Sequence, residues 1–257
     1  MKIAPLLAAA VMMVAAAERP GYLAETVDLT AVVPPPPVKG DIRYEADRRV
    51  FKATRRLAGT PRYGLAAADV ASATPQVMKD FSCAAGVTLS PEATPLTYRL
   101  LTNATADTAR ANNAAKDRWK RLRPFLIDKG AICEAREELG KSYDYPSGHT
   151  TRGWTFGLIL SDLAPDRAMP ILARARAYGE SRIVCGAHNM SAVEAGRLGA
   201  TVTMQAIRQS AAYQADAAAA RAELAHARAN PALAPDAGSC AAEAALVQPS
   251  VIAGVKR

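Results

Sequence analysis

An all-α, single-domain helical bundle is the fold class this sequence predicts, and three observations predict it. Alanine dominates a chain in which 50% of residues are hydrophobic and 5% aromatic, and alanine is the strongest helix former. Apolar positions recur at the helical period, whereas no alternating or β-branched run is long enough for a strand. A chain of 257 residues can also bury a sizeable core.

The elements follow in order. Met1-Lys2, the apolar run Ile3 to Val14 and Ala15-Ala16-Ala17 have the form of a secretory signal peptide, residues 1–17. The run is short for a membrane span, and nothing later reaches spanning length. Residues 18–40 read as an extended lead-in ending in four prolines, Pro34 to Pro37, which favour a polyproline II strap. The main domain, residues 41–230, opens with a helix from Asp41 to Leu57, stopped by Gly59-Thr60-Pro61. Leu65 to Ala85 follows, interrupted near Thr74-Pro75, and then a long helix from Leu96 to Leu122, which Pro124 ends. After a polar connection, helices are expected at 148–163, 168–182, 191–212 and 213–229. The tail, 231–257, contains Pro231, Pro235 and Gly238 and reads as irregular.

The formal charge is +8, or +7 without Lys2. No lysine and arginine block tracks a nucleic acid, so no nucleic-acid partner is expected; the excess suits small anionic substrates. Cys83, Cys133, Cys185 and Cys240 allow two disulfides in an exported chain, with three connectivities. None is spaced like a zinc ligand, and no metal is expected.

The most informative stretch is Tyr145-Pro146-Ser147-Gly148-His149-Thr150. It forms a turn that opens a helix, with Ser147 as N-cap. A helix start leaves backbone N–H groups unpaired beneath a positive dipole, so it accepts an anion. His149 adds a group that titrates near neutral pH. Lys116 and Arg123, seven apart on the predicted helix with Lys120 between them, share one stripe and could reach the same anion. Ser181-Arg182 closes another helix just before His188. The third histidine, His226, falls among charged residues of an amphipathic helix and is assigned to the surface.

Lys116, six residues, Arg123-Pro124; Pro146-Ser147-Gly148-His149; Ser181-Arg182, five residues, His188: together these resemble the three-part signature of the phosphatidic acid phosphatase type 2 (PAP2) superfamily. The chain is most similar to its class A bacterial non-specific acid phosphatases. Arg56 to Arg62, Arg99 to Asn103 and Val193 to Arg197 share the likeness, which covers most of the mature chain. The resemblance implies a helical bundle of the PAP2/haloperoxidase type, located in the periplasm or secreted. It implies metal-independent and cofactor-free hydrolysis of small phosphomonoesters through a phosphohistidine, with inorganic phosphate as product. Carried over, His188 is the nucleophile and His149 the acid. Lys116, Arg123, Ser147, Gly148 and Arg182 bind the phosphoryl oxygens. Assembly into a homo-oligomer stays open. A vanadate haloperoxidase belongs to the same superfamily, but the chain is short for one.

Three positions depart from the pattern. The resemblance places an aspartate four residues after the nucleophilic histidine, and here that residue is Ala192; Asn189 and Met190 also differ from the pattern. Such a carboxylate would hold the second ring nitrogen, and losing its counterpart in a serine protease costs about 10⁴ in rate. Ser191 is a weak substitute, and Glu194 falls roughly 240° around the helix from His188. An activity attenuated by about 10²–10⁴, or a phosphate-binding pseudoenzyme, is therefore expected, with Ala192→Asp restoring at least tenfold. Because Cys133 and Cys185 flank the site in sequence, the expected pairing is Cys133–Cys185 and Cys83–Cys240.

Overall fold

The computed structural model describes residues 21–253 and 255, and among these there are helices and no strands. The signal-peptide reading lies outside the described residues. Ten α-helices follow one another: α1 (Ile42–Thr54), α2 (Pro61–Ala68), α3 (Thr74–Ala85), α4 (Pro95–Trp119), α5 (Arg136–Leu139), α6 (Gly148–Leu163), α7 (Ala168–Val184), α8 (Met190–Ile207), α9 (Ala211–Ala229) and α10 (Ala237–Val247). No described helix is long and apolar enough to cross a membrane.

Local chemistry sets most boundaries. Asp41, Thr60, Ser147, Ser210 and Asp236 each accept a backbone N–H from the first turn of their helix, satisfying a donor that the helix cannot. Pro61, Pro75 and Pro95 occupy first-turn positions, where a missing N–H costs nothing.

The central helix is α6, which packs against α7, α8 and α4. Its contact with α7 is close because it presents glycines. A Cβ at Gly157 would lie 2.5 Å from Ala175 Cβ, and one at Gly153 would lie 2.4 Å from the Tyr178 ring. Phe156, Ile159 and Leu160 of α6 join Phe81, Leu100, Leu101, Tyr178, Met204 and Leu224 in one core drawn from α3, α4, α6, α7, α8 and α9. This core surrounds the C-terminal half of α6, whose N-terminal end borders a cavity.

Three expectations are corrected. The long helix predicted to Leu122 ends at Trp119, because Lys120 adopts a left-handed conformation with φ +46°. Residues 121–123 then run without helix into Pro124, so Arg121 and Arg123 turn inward and the intervening Leu122 outward, 57% exposed. Extended backbone has a period of two, which the helical stripe drawn from Lys116 through Lys120 to Arg123 did not use. The helix expected over 191–212 ends at Ile207, and α9 begins afresh at Ala211 behind its Ser210 cap. The tail is not irregular throughout: its alanine-rich stretch forms α10, capped by Asp236. Pro231 and Pro235 precede that helix and Pro249 follows it, so its interior propensity is intact.

Both disulfides pair as expected, Cys83 with Cys240 and Cys133 with Cys185. The first ties α10 to α3, and the second ties the loop before α5 to the end of α7. Residues 21–40 include a 3₁₀ turn, Leu29–Ala31, and their Leu29 and Val33 are buried with Ala111 and Ala115 of α4 and Ala192 and Ala195 of α8.

Candidate active site

A cavity of about 440 Å³ opens at the N-terminal end of α6. Six of the seven residues singled out in sequence line it: Lys116, Arg123, Gly148, His149, Arg182 and His188. The seventh, Ser147, lies just behind. Its Oγ accepts from Thr150 N at 3.3 Å and from Thr150 Oγ1 at 3.0 Å, so its side chain caps α6 from a fully buried position.

Each lining residue arrives from a different part of the chain. Lys116 stands one turn from the end of α4, and its Nζ donates to Ser142 Oγ at 3.2 Å. Arg123 comes from the extended stretch after that helix. Its Nε donates to the Ser142 carbonyl at 2.7 Å and its Nη1 to the Ala187 carbonyl at 2.9 Å. Arg182 projects from the last turn of α7 and pairs with Glu134. The left-handed Gly186, φ +72°, turns the chain back so that Ala187 N and His188 N donate to the Arg182 carbonyl at 3.0 and 3.2 Å. Only glycine fits there, because a Cβ would also strike Arg55 Nη1 at 2.4 Å.

Glu134 pairs with only one nitrogen of Arg182. Arg182 Nε and Nη1 are buried without a partner, as is Asn112 Nδ2, which borders the same cavity. Buried donors ordinarily have partners. Burial, then the charge of Arg123, brings Lys116 down to about 8, and burial brings Arg123 down to about 10. Positive groups desolvated against one another in a cavity with free donors form a receptor for a small, multiply charged anion.

The histidines sit on opposite sides of this cradle's chemistry. His149 Nε2 donates to the Val70 carbonyl at 2.9 Å, and its ring stacks on Tyr178 with centroids 6.4 Å apart. His188 Nε2 lies 3.1 Å from Arg123 Nη1. Its Nδ1 lies 2.7 Å from the Asp144 carbonyl and 3.0 Å from Asp144 Oδ1. A guanidinium only donates and a carbonyl only accepts, so His188 is neutral with its hydrogen on Nδ1 and a lone pair on Nε2. Burial pushes both pKa values well below 6.5; Arg182 adds to this for His149, and Arg123, Lys116 and Arg182 for His188.

A pH dependence follows. In the empty cradle His149 is neutral near pH 6; an anion among the cations offsets their repulsion and favours its protonated form. The occupied state therefore binds more protons, and affinity rises as pH falls. Sulfate, dianionic throughout this range, should bind with proton uptake near pH 6 and about three- to tenfold tighter per pH unit lost. Calorimetry in buffers of different ionisation enthalpy measures the uptake, and His149→Ala should remove most of it. Pairing that is independent of pH would contradict the neutral assignment of His149.

Sequence reasoning missed four residues of the site. Asn112 lies one turn before Lys116 on α4, and helical spacing could have found it. Glu134 and Asp144 come from the connection between α4 and α6, where no periodicity links them to Arg182 or His188. Arg121 carried no spacing signal of its own; its Nη2 meets Asp47 Oδ2 at 2.7 Å and its Nη1 lies 3.4 Å from Asp144 Oδ2. Asp47 also accepts from Ser191 N at 2.8 Å, holding the first turn of α8 in place. Burial pushes the Asp144 carboxyl up from its ordinary range, against the opposing pull of Arg121, Asn189 and Arg123.

Fold and site together define a helical protein with a basic cavity that two histidines line. A model of the PAP2 superfamily matches residues 95–215, from the start of α4 into α9. An acid phosphatase of Zymomonas mobilis is 41% identical over 196 residues, 76% of this chain and 74% of that one. A non-specific acid phosphatase of Salmonella typhimurium is 34% identical over 203 residues, 78% and 81% of the two chains. That of Providencia stuartii is 34% identical over 193 residues, 74% and 78%. The chain belongs to the PAP2 superfamily.

Proposed function

We infer that this protein is a periplasmic or secreted acid phosphatase that hydrolyses small phosphate monoesters through a phosphohistidine. The observation that carries this reading is the His188 Nε2 lone pair, held at the edge of a cavity whose buried Arg182 and Asn112 donors lack partners. Relatives named acid phosphatases over most of the chain support it.

Phosphoryl transfer needs little covalent help beyond positioning and countercharge. Lys116, Arg123 and Arg182 hold the phosphoryl oxygens with the Gly148 N–H and Asn112 Nδ2, and Ser147 supports the turn that presents Gly148. His188 Nε2 forms a bond to phosphorus as the ester P–O bond breaks. The electron pair leaves on the ester oxygen, which takes a proton from His149. Water then attacks phosphorus, the N–P bond breaks, and His149 removes the water proton. Because Nε2 of His149 is held by the Val70 carbonyl, Nδ1 is the nitrogen that exchanges the proton. Nothing in these steps calls on a metal or cofactor.

Hydrolysis of p-nitrophenyl phosphate by the purified protein, near about pH 5–6 with chelator present, tests the reading. Sustained turnover is expected. No turnover, with phosphate still raising the melting temperature, would establish a binding protein instead. His149→Ala should lower turnover of an alkyl phosphate by about 10²–10⁴ and that of p-nitrophenyl phosphate much less, since nitrophenolate leaves without a proton. Equal losses on both esters would count against His149 as the acid.

A further inference from the structure

A carboxylate four residues after His188 is absent, and one 44 residues before it stands in contact. His188 Nδ1 meets two acceptors of one residue, the backbone carbonyl and Oδ1 of Asp144. That side chain is fully buried and held at both oxygens. Asn189 N donates to Oδ1 at 3.1 Å and Asn189 Nδ2 to Oδ2 at 2.8 Å. Arg121 Nη1 approaches Oδ2 at 3.4 Å, and Arg121 is itself anchored on Asp47 and on Ser191 Oγ at 2.7 Å. Asn189 is one of the residues at which this chain departs from the pattern it otherwise follows, and it departs where a second donor grips Asp144. Ala192, another departure, is buried among Leu29, Val33, Ala111, Ala115 and Tyr145. That surrounding is apolar, so a carboxylate placed there would be desolvated.

We propose that Asp144 is the positioning residue of the nucleophile and takes over the task of the carboxylate missing at position 192. The deduction rests on the phosphatase reading and deepens it. Its backbone carbonyl and carboxylate hold the Nδ1–H tautomer, which aims the Nε2 lone pair into the cradle. When Nε2 bonds to phosphorus the ring becomes cationic, and the carboxylate faces that charge across the Nδ1–H bond. When water displaces the ring, the N–P bond breaks, its electron pair returns to Nε2 and the ring is neutral again. Asp144 neither gains nor loses a proton in the cycle. The chain is then an unattenuated phosphatase whose orienting carboxylate has moved to another loop, and Ala192 is the residue that fits the space left behind.

Two variants test this against the wild type. Asp144→Asn keeps the backbone carbonyl and the shape but removes the charge. It should lower kcat at least about thirtyfold while KM and the phosphate-induced rise in melting temperature stay within about threefold. A kcat within threefold of wild type, or parallel loss of turnover and phosphate protection, would overturn the proposal. Ala192→Asp adds a second buried carboxylate beside a nucleophile that already has one. No gain in rate is expected, and a tenfold gain would show that the vacancy at 192 limits turnover. If Asp144→Asn does not fold, ¹⁵N-histidine spectra of the wild-type protein decide: the Nδ1–H tautomer of His188 supports the assignment and the Nε2–H tautomer refutes it. Absence of turnover in the wild type defeats the phosphatase reading itself, whereas wild-type turnover retained in Asp144→Asn defeats only the role of Asp144.

Discussion

Replacement of His188 by alanine is expected to abolish trapping of a phosphorylated enzyme and to lower kcat by about four orders of magnitude or more. The imidazole is buried, neutral and fixed at both nitrogens, by Asp144 on one side and by Arg123 on the other. Its Nδ1 carries the hydrogen and its Nε2 lone pair faces the Arg123 guanidinium at the cavity, the protonation state a nucleophile needs. Phosphate binding should persist, because Lys116, Arg123 and Arg182 remain. Rapid-quench labelling with a ³²P ester, together with phosphate-dependent melting, measures both quantities. A phosphohistidine that survives in the His188→Ala variant would remove His188 from the role.

The second large effect is expected at Arg182. Its guanidinium is completely buried, pairs with Glu134, and leaves Nε and Nη1 without partners. Each can donate to an oxygen of a bound phosphoryl group. Arg182→Ala should cost about 10³–10⁵ in kcat/KM, the range seen when a charge-stabilising arginine is lost from phosphoryl transfer. It also strands the Glu134 carboxylate beside the cavity, so inorganic phosphate should no longer protect against melting. Arg182→Lys restores a charge but not a fork, and should recover only a small part of the loss. If Arg182→Ala keeps phosphate protection, the anion sits elsewhere in the cavity.

The helical fold was legible because its causes are local. Alanine content, the 3.6-residue period, and proline or hydroxyl residues at helix starts each act within a few residues, and α3, α6 and α7 lie close to where that reasoning places them. Errors came where one residue overrode a periodic trend. The left-handed turn at Lys120 ended α4 early and set Arg121 and Arg123 on an extended stretch, both facing inward. Position 120 carries neither glycine nor asparagine, so nothing in the composition flags that turn. In the tail, prolines drew the eye from an alanine run that forms α10.

The candidate site divides in the same way. The residue types and spacings of Lys116, Arg123, the Pro146 to His149 turn, Arg182 and His188 are properties of the chain alone, and they suffice to suggest an anion between two histidines. The tertiary structure decided which groups are paired and which are left free. It buried Arg182 with two idle donors, brought Asn112 to the cavity and assigned the Ser147 hydroxyl to its own helix. Above all, it set Asp144 against His188 across 44 residues of sequence, while position 192 was filled by an apolar cluster. Contacts of that kind depend on how α1, α4 and α8 close around one loop, and no periodicity records them. The chain alone pointed to an anion site; the packing of its helices determined which carboxylate stands behind His188, because a hydrogen bond requires proximity in space and is indifferent to distance along the chain.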